Sequence, residues 1–96
     1  MMAIETRPFD AAEYLDTPEA QAEFLAAAFE TGEEAFIKEA LATVARARGM
    51  TEIARAADVS RQALYKSLSE AGDPKLSTLL GVLKALGMQV TIQPAP

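Results

Sequence analysis

Between residues 61 and 69 the chain carries Arg61, Gln62, Tyr65, Lys66 and Ser69, side chains that make directional hydrogen bonds. On a helix, at about 100° per residue, they share an outward arc of roughly 140°. Arg and Gln can each make two hydrogen bonds to a guanine or adenine edge, and Lys can reach guanine or phosphate. This is chemistry for reading a nucleic acid rather than for breaking bonds. The chain has no cysteine and no histidine. Disulfides, thiolate zinc sites, a cysteine nucleophile and imidazole acid–base catalysis are therefore excluded. Glu33 and Glu34, and Asp10 and Glu13, are carboxylate pairs, but both lie at predicted helix starts, where capping and the helix dipole account for them. With no glycine-rich phosphate loop either, neither enzyme activity nor a cofactor or metal is expected.

A short pair of helices must hold the arc in place. Ile53, Ala54 and Ala57 predict the inner face of a first helix starting near Met50, with Ala54 small enough for a second helix to cross closely. Asp58-Val59 predicts a tight turn, because Asp tolerates a left-handed backbone better than most residues and Val59 can plug the elbow. Ser60 then caps the second helix, and Leu64 and Leu68, four apart, face the core. Residues 50–68 therefore read as a helix-turn-helix; the plainer alternative is a structural helix pair.

The remaining elements follow from their punctuation. Ile4 to Phe9 is expected to be extended, since Arg7 precedes a proline. Asp10 to Glu13 predicts a capping box for a short helix ending near Asp16. Thr17-Pro18-Glu19 predicts a helix start, running to about Phe29 with Ala20, Phe24, Leu25, Ala28 and Phe29 on one side and Thr31-Gly32 as its break. The next helix is predicted from Glu33 or Glu34 to Arg48, with Phe36, Ile37, Ala40, Leu41 and Val44 inward and Gly49 as its stop. After the helix-turn-helix, Asp73 is expected to cap a final helix with Pro74 at its first position. Leu76, Leu79, Leu80, Leu83 and Leu86 form the apolar stripe of that helix, and Gly87 ends it. Met88 to Gln93 alternates apolar and polar residues and predicts a strand. Such a strand must pair with the N-terminal segment, with its copy in a dimer or with a partner's sheet; a frayed tail packed through Val90 and Ile92 is the alternative.

Ninety-six residues, half of them hydrophobic, suit one compact domain rather than two. The fold class is all-α, with five to six helices and a short C-terminal β-strand. Within it, residues 1–48 make an acidic N-terminal helical part, 49–87 the helix-turn-helix region and 88–96 the tail. The first part carries four basic residues against ten acids, a net −6; residues 49–96 carry five against four, a net +1. The overall −5 argues against strong nonspecific binding to phosphate but leaves room for a specific contact from a patch around Arg46, Arg48, Arg55, Arg61 and Lys66. Arg48 and Lys75 could equally be solvated helix-terminal cations. The acidic half is either a solvated surface or a docking face for a basic protein. A cytoplasmic protein is expected: the N-terminus lacks the apolar region of a signal peptide, and no apolar run approaches the ~20 residues of a membrane span.

Five segments carry a resemblance. Arg7-Pro-Phe-Asp-Ala-Ala-Glu-Tyr-Leu15, Ala45-Arg-Ala-Arg-Gly-Met-Thr51, Ser60-Arg-Gln-Ala-Leu-Tyr-Lys-Ser-Leu68, Gly72-Asp-Pro-Lys-Leu-Ser-Thr-Leu-Leu80 and Leu83-Lys-Ala-Leu-Gly87 together resemble the addiction-module antidote family. That family is similar to HigA-type antitoxins of the Xre/Cro class. The opening segment is the specific part, since the second half would be shared with any Xre-type repressor. The chain departs from the wider pattern at Asp58, where glycine is frequent, and at Met50, where glutamine often contacts phosphate. The resemblance implies a lambda-repressor-like helix-turn-helix domain. It also implies a type II antitoxin that neutralises a small, basic RelE/ParE/HigB-like toxin and represses its own operon. Carried over, Arg61, Gln62, Tyr65 and Lys66 read bases and Thr51, Arg55 and Ser60 lie nearer phosphates, with Tyr65 alternatively covering Leu68 or Leu76. A homodimer on an inverted repeat is expected, because one recognition helix covers too few base pairs. Toxin contacts are expected from Phe9, Tyr14, Leu15, Phe24 and Phe29, although Phe24 and Phe29 also suit the core. A stand-alone Xre-type repressor without a toxin is the alternative function.

Overall fold

The computed structural model describes residues 11–96, so the expected extended stretch Ile4–Phe9 and the capping role of Asp10 lie outside it. A 3-10 helix, Ala11–Tyr14, is followed by α1 (Pro18–Thr31), α2 (Glu34–Arg48), α3 (Met50–Ala56), α4 (Arg61–Ser67) and α5 (Leu76–Ala85). Among the described residues the architecture is all-helical. The N-terminal punctuation acts as its chemistry requires: Thr17 Oγ1 accepts from the Ala20 amide at 3.1 Å, with Pro18 in the first turn. Helix α1 runs two residues past Phe29 because the Thr31 hydroxyl donates to the Ala28 carbonyl and accepts from the Glu33 amide.

Helix α1 packs along α2, while α3 touches α2, α4 and α5. The core is drawn from every helix: Leu25, Leu41, Val44, Ile53, Leu64, Leu68, Val82 and Leu86 are all buried in it. Gly81 lets α5 approach α3, since a Cβ there would stand 3.2 Å from Cα and Cβ of Ala57. Among the described residues, no helix is long and apolar enough to cross a membrane.

Several expectations need correction. Residues 88–96 adopt no strand, and Val90 and Ile92 are exposed; alternation alone makes no strand without a neighbour to accept its hydrogen bonds. Helix α5 starts at Leu76 with Lys75, not Asp73, at its N-cap. Residues 72–75 are used instead as a non-helical connection. Leu76 (69% exposed) and Leu80 face outward, and Thr78 and Val82 take their place inside. Phe36 is 52% exposed, although its neighbours in the same helical row, Ala40 and Thr43, are buried.

Two long polar side chains, Lys38 and Gln21, occupy the interior. Lys38, only 6% exposed, donates from Nζ to the carbonyls of Glu70 (2.8 Å) and Gly72 (2.7 Å), with the Glu34 carboxylate at 3.7 Å. Gly72 must be glycine here, because a Cβ would run into the carbonyl oxygens of Lys66 and Ser67. Gln21, 3% exposed, donates to the Leu15 carbonyl at 2.9 Å and accepts from Arg48 at 3.2 Å. Arg48, exposed at the end of α2, also donates to the Leu86 carbonyl at 3.2 Å and so links α2 to α1 and α5 from the surface.

Lys38→Met keeps the aliphatic stem but strips two carbonyls of their donor, and is expected to lower stability by about 1–3 kcal/mol. Gly72→Ala is expected to cost about as much or more through overpacking. Glu34→Gln, which removes only an exposed i,i+4 partner, should cost under about 0.5 kcal/mol. Urea denaturation of the three variants checks the ranking; equal losses for Lys38→Met and Glu34→Gln would show that the ammonium–carbonyl bonds carry no weight.

Candidate nucleic-acid interface

The α3–α4 connection is built by a run of backbone bonds that close α3. The Ala57 amide donates to Ile53 (2.9 Å), the Asp58 amide to Arg55 (3.1 Å) and the Val59 amide to Ala54 (3.0 Å). The last two form the paired bonds of a Schellman motif, which needs a left-handed residue just past the helix end. Asp58 supplies it with φ of 60°, as its residue type led one to expect. Val59 is half-buried against the core and Ala54 is buried beneath the elbow. Ser60 then caps α4, its hydroxyl accepting from the Ala63 amide at 3.0 Å.

Leu64 and Leu68 anchor α4 in the core, which turns Arg61, Gln62, Tyr65, Lys66 and Ser69 to solvent. Thr51, Arg55, Ser60 and Arg61 line one open cleft of about 460 Å³ between the two helices, floored by Ala54 and Val59 and shared with Asp58. Lys66 borders a second hollow of about 490 Å³ with Ser67, Ser69 and Asp73. The expected residues thus lie exposed along α4 and the adjoining edge of α3. The Arg61 guanidinium sits 5.6 Å from the centroid of the Tyr65 ring, a cation–π contact worth about 0.5–1 kcal/mol at an exposed site. Tyr65 therefore braces Arg61 from below, a role its residue type alone did not disclose. Of the five cations expected in the patch, Arg48 is committed to Gln21 and Leu86. Among the described residues, no group of acids is placed to hold a metal ion.

The residues expected to meet a protein partner separate by burial. Phe9 lies outside the described residues. Leu15 is buried and Phe24 packs against the core, so both spend their side chains on the fold. Tyr14 and Phe29 remain at the surface, joined by Phe36, which the periodicity had placed inside.

The sequence model of the family described as "Probable addiction module antidote protein" matches residues 5–94. An uncharacterized protein of Haemophilus influenzae (strain Rd) is 39% identical over 92 residues, which span 96% of this chain and 95% of that one. No solved structure matches the chain.

The turn makes its own stability prediction. Ser60→Ala is expected to cost about 1 kcal/mol through the lost cap. Asp58→Val, which forces a β-branched residue into the left-handed region, is expected to cost about 1–2 kcal/mol, whereas Asp58→Gly should be tolerated. Thermal unfolding monitored by circular dichroism tells these apart; a Val variant as stable as the Gly variant would contradict the geometry of the elbow.

Proposed function

The chain belongs to the family of probable addiction module antidote proteins, and on that ground we propose that it is the antitoxin of a type II toxin–antitoxin pair. The observation that carries this reading is the family match, which takes in nearly the whole chain, the acidic first half included. As an antitoxin it binds a RelE/ParE/HigB-like toxin directly, in the cytoplasm, and represses the operon that encodes both.

Repression uses α3 and α4 as a DNA-binding helix-turn-helix. Arg61 and Gln62, in the first turn of α4, read base edges; Lys66 reaches a base or phosphate further along the groove, and Thr51, Arg55 and Ser60 sit over the backbone. The open cleft shared by Thr51, Arg55, Ser60 and Arg61 supports this division. Two copies act together on an inverted repeat with half-sites about one helical turn apart, or a multiple of it. The apolar surface left by Leu76 and Leu80, with Val90 and Ile92 in the tail, supports self-association, and a second chain is what the alternating tail needs to become a strand.

Co-expression with the product of the adjacent gene, followed by pull-down and by rescue of growth, tests the antitoxin reading. A chain that binds operator but no such product would be a stand-alone Xre-type repressor. Arg61→Ala and Gln62→Ala are each expected to weaken operator binding by about 1–3 kcal/mol and to relax sequence preference. Equal losses on operator and random DNA would mean that they touch only phosphate. Leu76→Ser with Leu80→Ser is expected to shift the free protein toward monomer in sedimentation, while a dimer that survives deletion of residues 88–96 would reject the paired strand alone.

A further inference from the structure

Helices α1 and α2 meet at a tight hairpin around Gly32, and the apolar rows that join them do not stop at the edge of the core. Phe29 follows buried Leu25 by four residues, and Phe36 precedes buried Ala40 by four. Each row ends, within about one turn of Gly32 on either side, in a partly exposed ring: Phe29 is 38% exposed and Phe36 52% exposed. Glu30, Glu33 and Glu34 lie exposed beside them. The one cation between Pro18 and Ala45 is Lys38, and its ammonium is turned inward onto the carbonyls of Glu70 and Gly72. Lys38 also stands 3.7 Å from the Glu34 carboxylate, so the tip presents two aromatic rings beside an acidic rim in which, among the described residues, Glu34 alone has a cation near it.

We propose that this hairpin tip is the docking surface for the toxin, which meets it with a basic surface surrounding an apolar recess that takes Phe29 and Phe36. The inference rests on the antitoxin reading for the partner's identity and on charge complementarity for its chemistry. The two parts of the surface do different work. Acids in a solvated rim accelerate encounter with a basic partner and lose that effect as salt rises. Rings that become fully covered govern how long the complex lasts.

The test measures association and dissociation rates of the full-length chain with the toxin encoded by the adjacent gene. Phe29→Ser with Phe36→Ser is expected to raise the dissociation rate by about a hundredfold or more, on the scale of truncated interface anchors, with the helical fold and operator affinity retained because neither ring is among the buried residues. Glu30→Gln, Glu33→Gln and Glu34→Gln together are expected to slow association at low salt by about tenfold, with little change in dissociation. Zero-length carbodiimide cross-links should join these glutamates to lysines of the toxin. A wild-type chain that does not bind the toxin at all would overturn the antitoxin reading and the docking surface with it. A wild-type chain that binds while the double Phe variant binds equally well, or cross-links that map away from the hairpin, would overturn the surface alone. A double Phe variant that changes self-association but not toxin binding would assign the tip to a second copy and likewise overturn it.

Discussion

The Lys38 ammonium held between two carbonyls is the contact on which the rest of the arrangement depends. A positive charge withdrawn from water is tolerable only where donors and acceptors replace the lost hydration. The carbonyls of Glu70 and Gly72 do so, with the Glu34 carboxylate nearby. Both carbonyls belong to the connection that follows α4. By gripping it, α2 fixes where α4 ends, and the close seat of Gly72 over the carbonyls of Lys66 and Ser67 leaves that connection little room to shift. Ser60 and the left-handed Asp58 fix the opposite end. The outward arc of Arg61, Gln62 and Lys66 is aimed by these two clamps together with Leu64 and Leu68.

The charge of the α3–α4 surface is modest. Helices α3 and α4 carry three cations, Arg55, Arg61 and Lys66, on a chain whose net charge is −5. Such a surface attracts phosphate weakly at long range, so any affinity it develops must come from short contacts that depend on fit. The proposed repressor is for that reason suited to distinguishing its operator from bulk DNA. The acidic hairpin, for its part, has the charge to repel DNA.

Where local chemistry decides, the sequence could be read to within a residue or two. Thr17 with Pro18, the Asp58 turn, the Ser60 cap and the inward pair Leu64 and Leu68 are each settled by a residue's own conformational preference or by a neighbour a few positions away. Periodicity failed near the ends of helices. Phe36 and Leu76 sit in the first turns of α2 and α5, where the apolar row continues but the surface it would pack on has run out. The interior roles of Gln21 and Lys38 were invisible for a related reason: a polar residue is assigned outward by default, and the carbonyls that hold Lys38 are up to 34 residues away. The tail misled because alternation describes one chain while a strand needs two. Of the candidate interface, the list of residues was legible and their grouping only in part: the bracing of Arg61 by Tyr65 is a contact between residues four apart on α4, whereas the cleft shared with Thr51 follows from how α3 and α4 cross.

The brevity of α3 and α4, seven residues each, bears on the lifetime of the molecule in a cell. Isolated helices below about 12–15 residues are marginal in water, so neither survives once the shared core loosens. The α1–α2 hairpin draws on that same core through Leu25, Leu41 and Val44. A protease that captures one opened molecule therefore removes both of its proposed binding faces at once, and leaves no half-active fragment behind. Turnover of such a chain behaves as a single switch: toxin release and operator vacancy would rise together, at the rate at which the core opens.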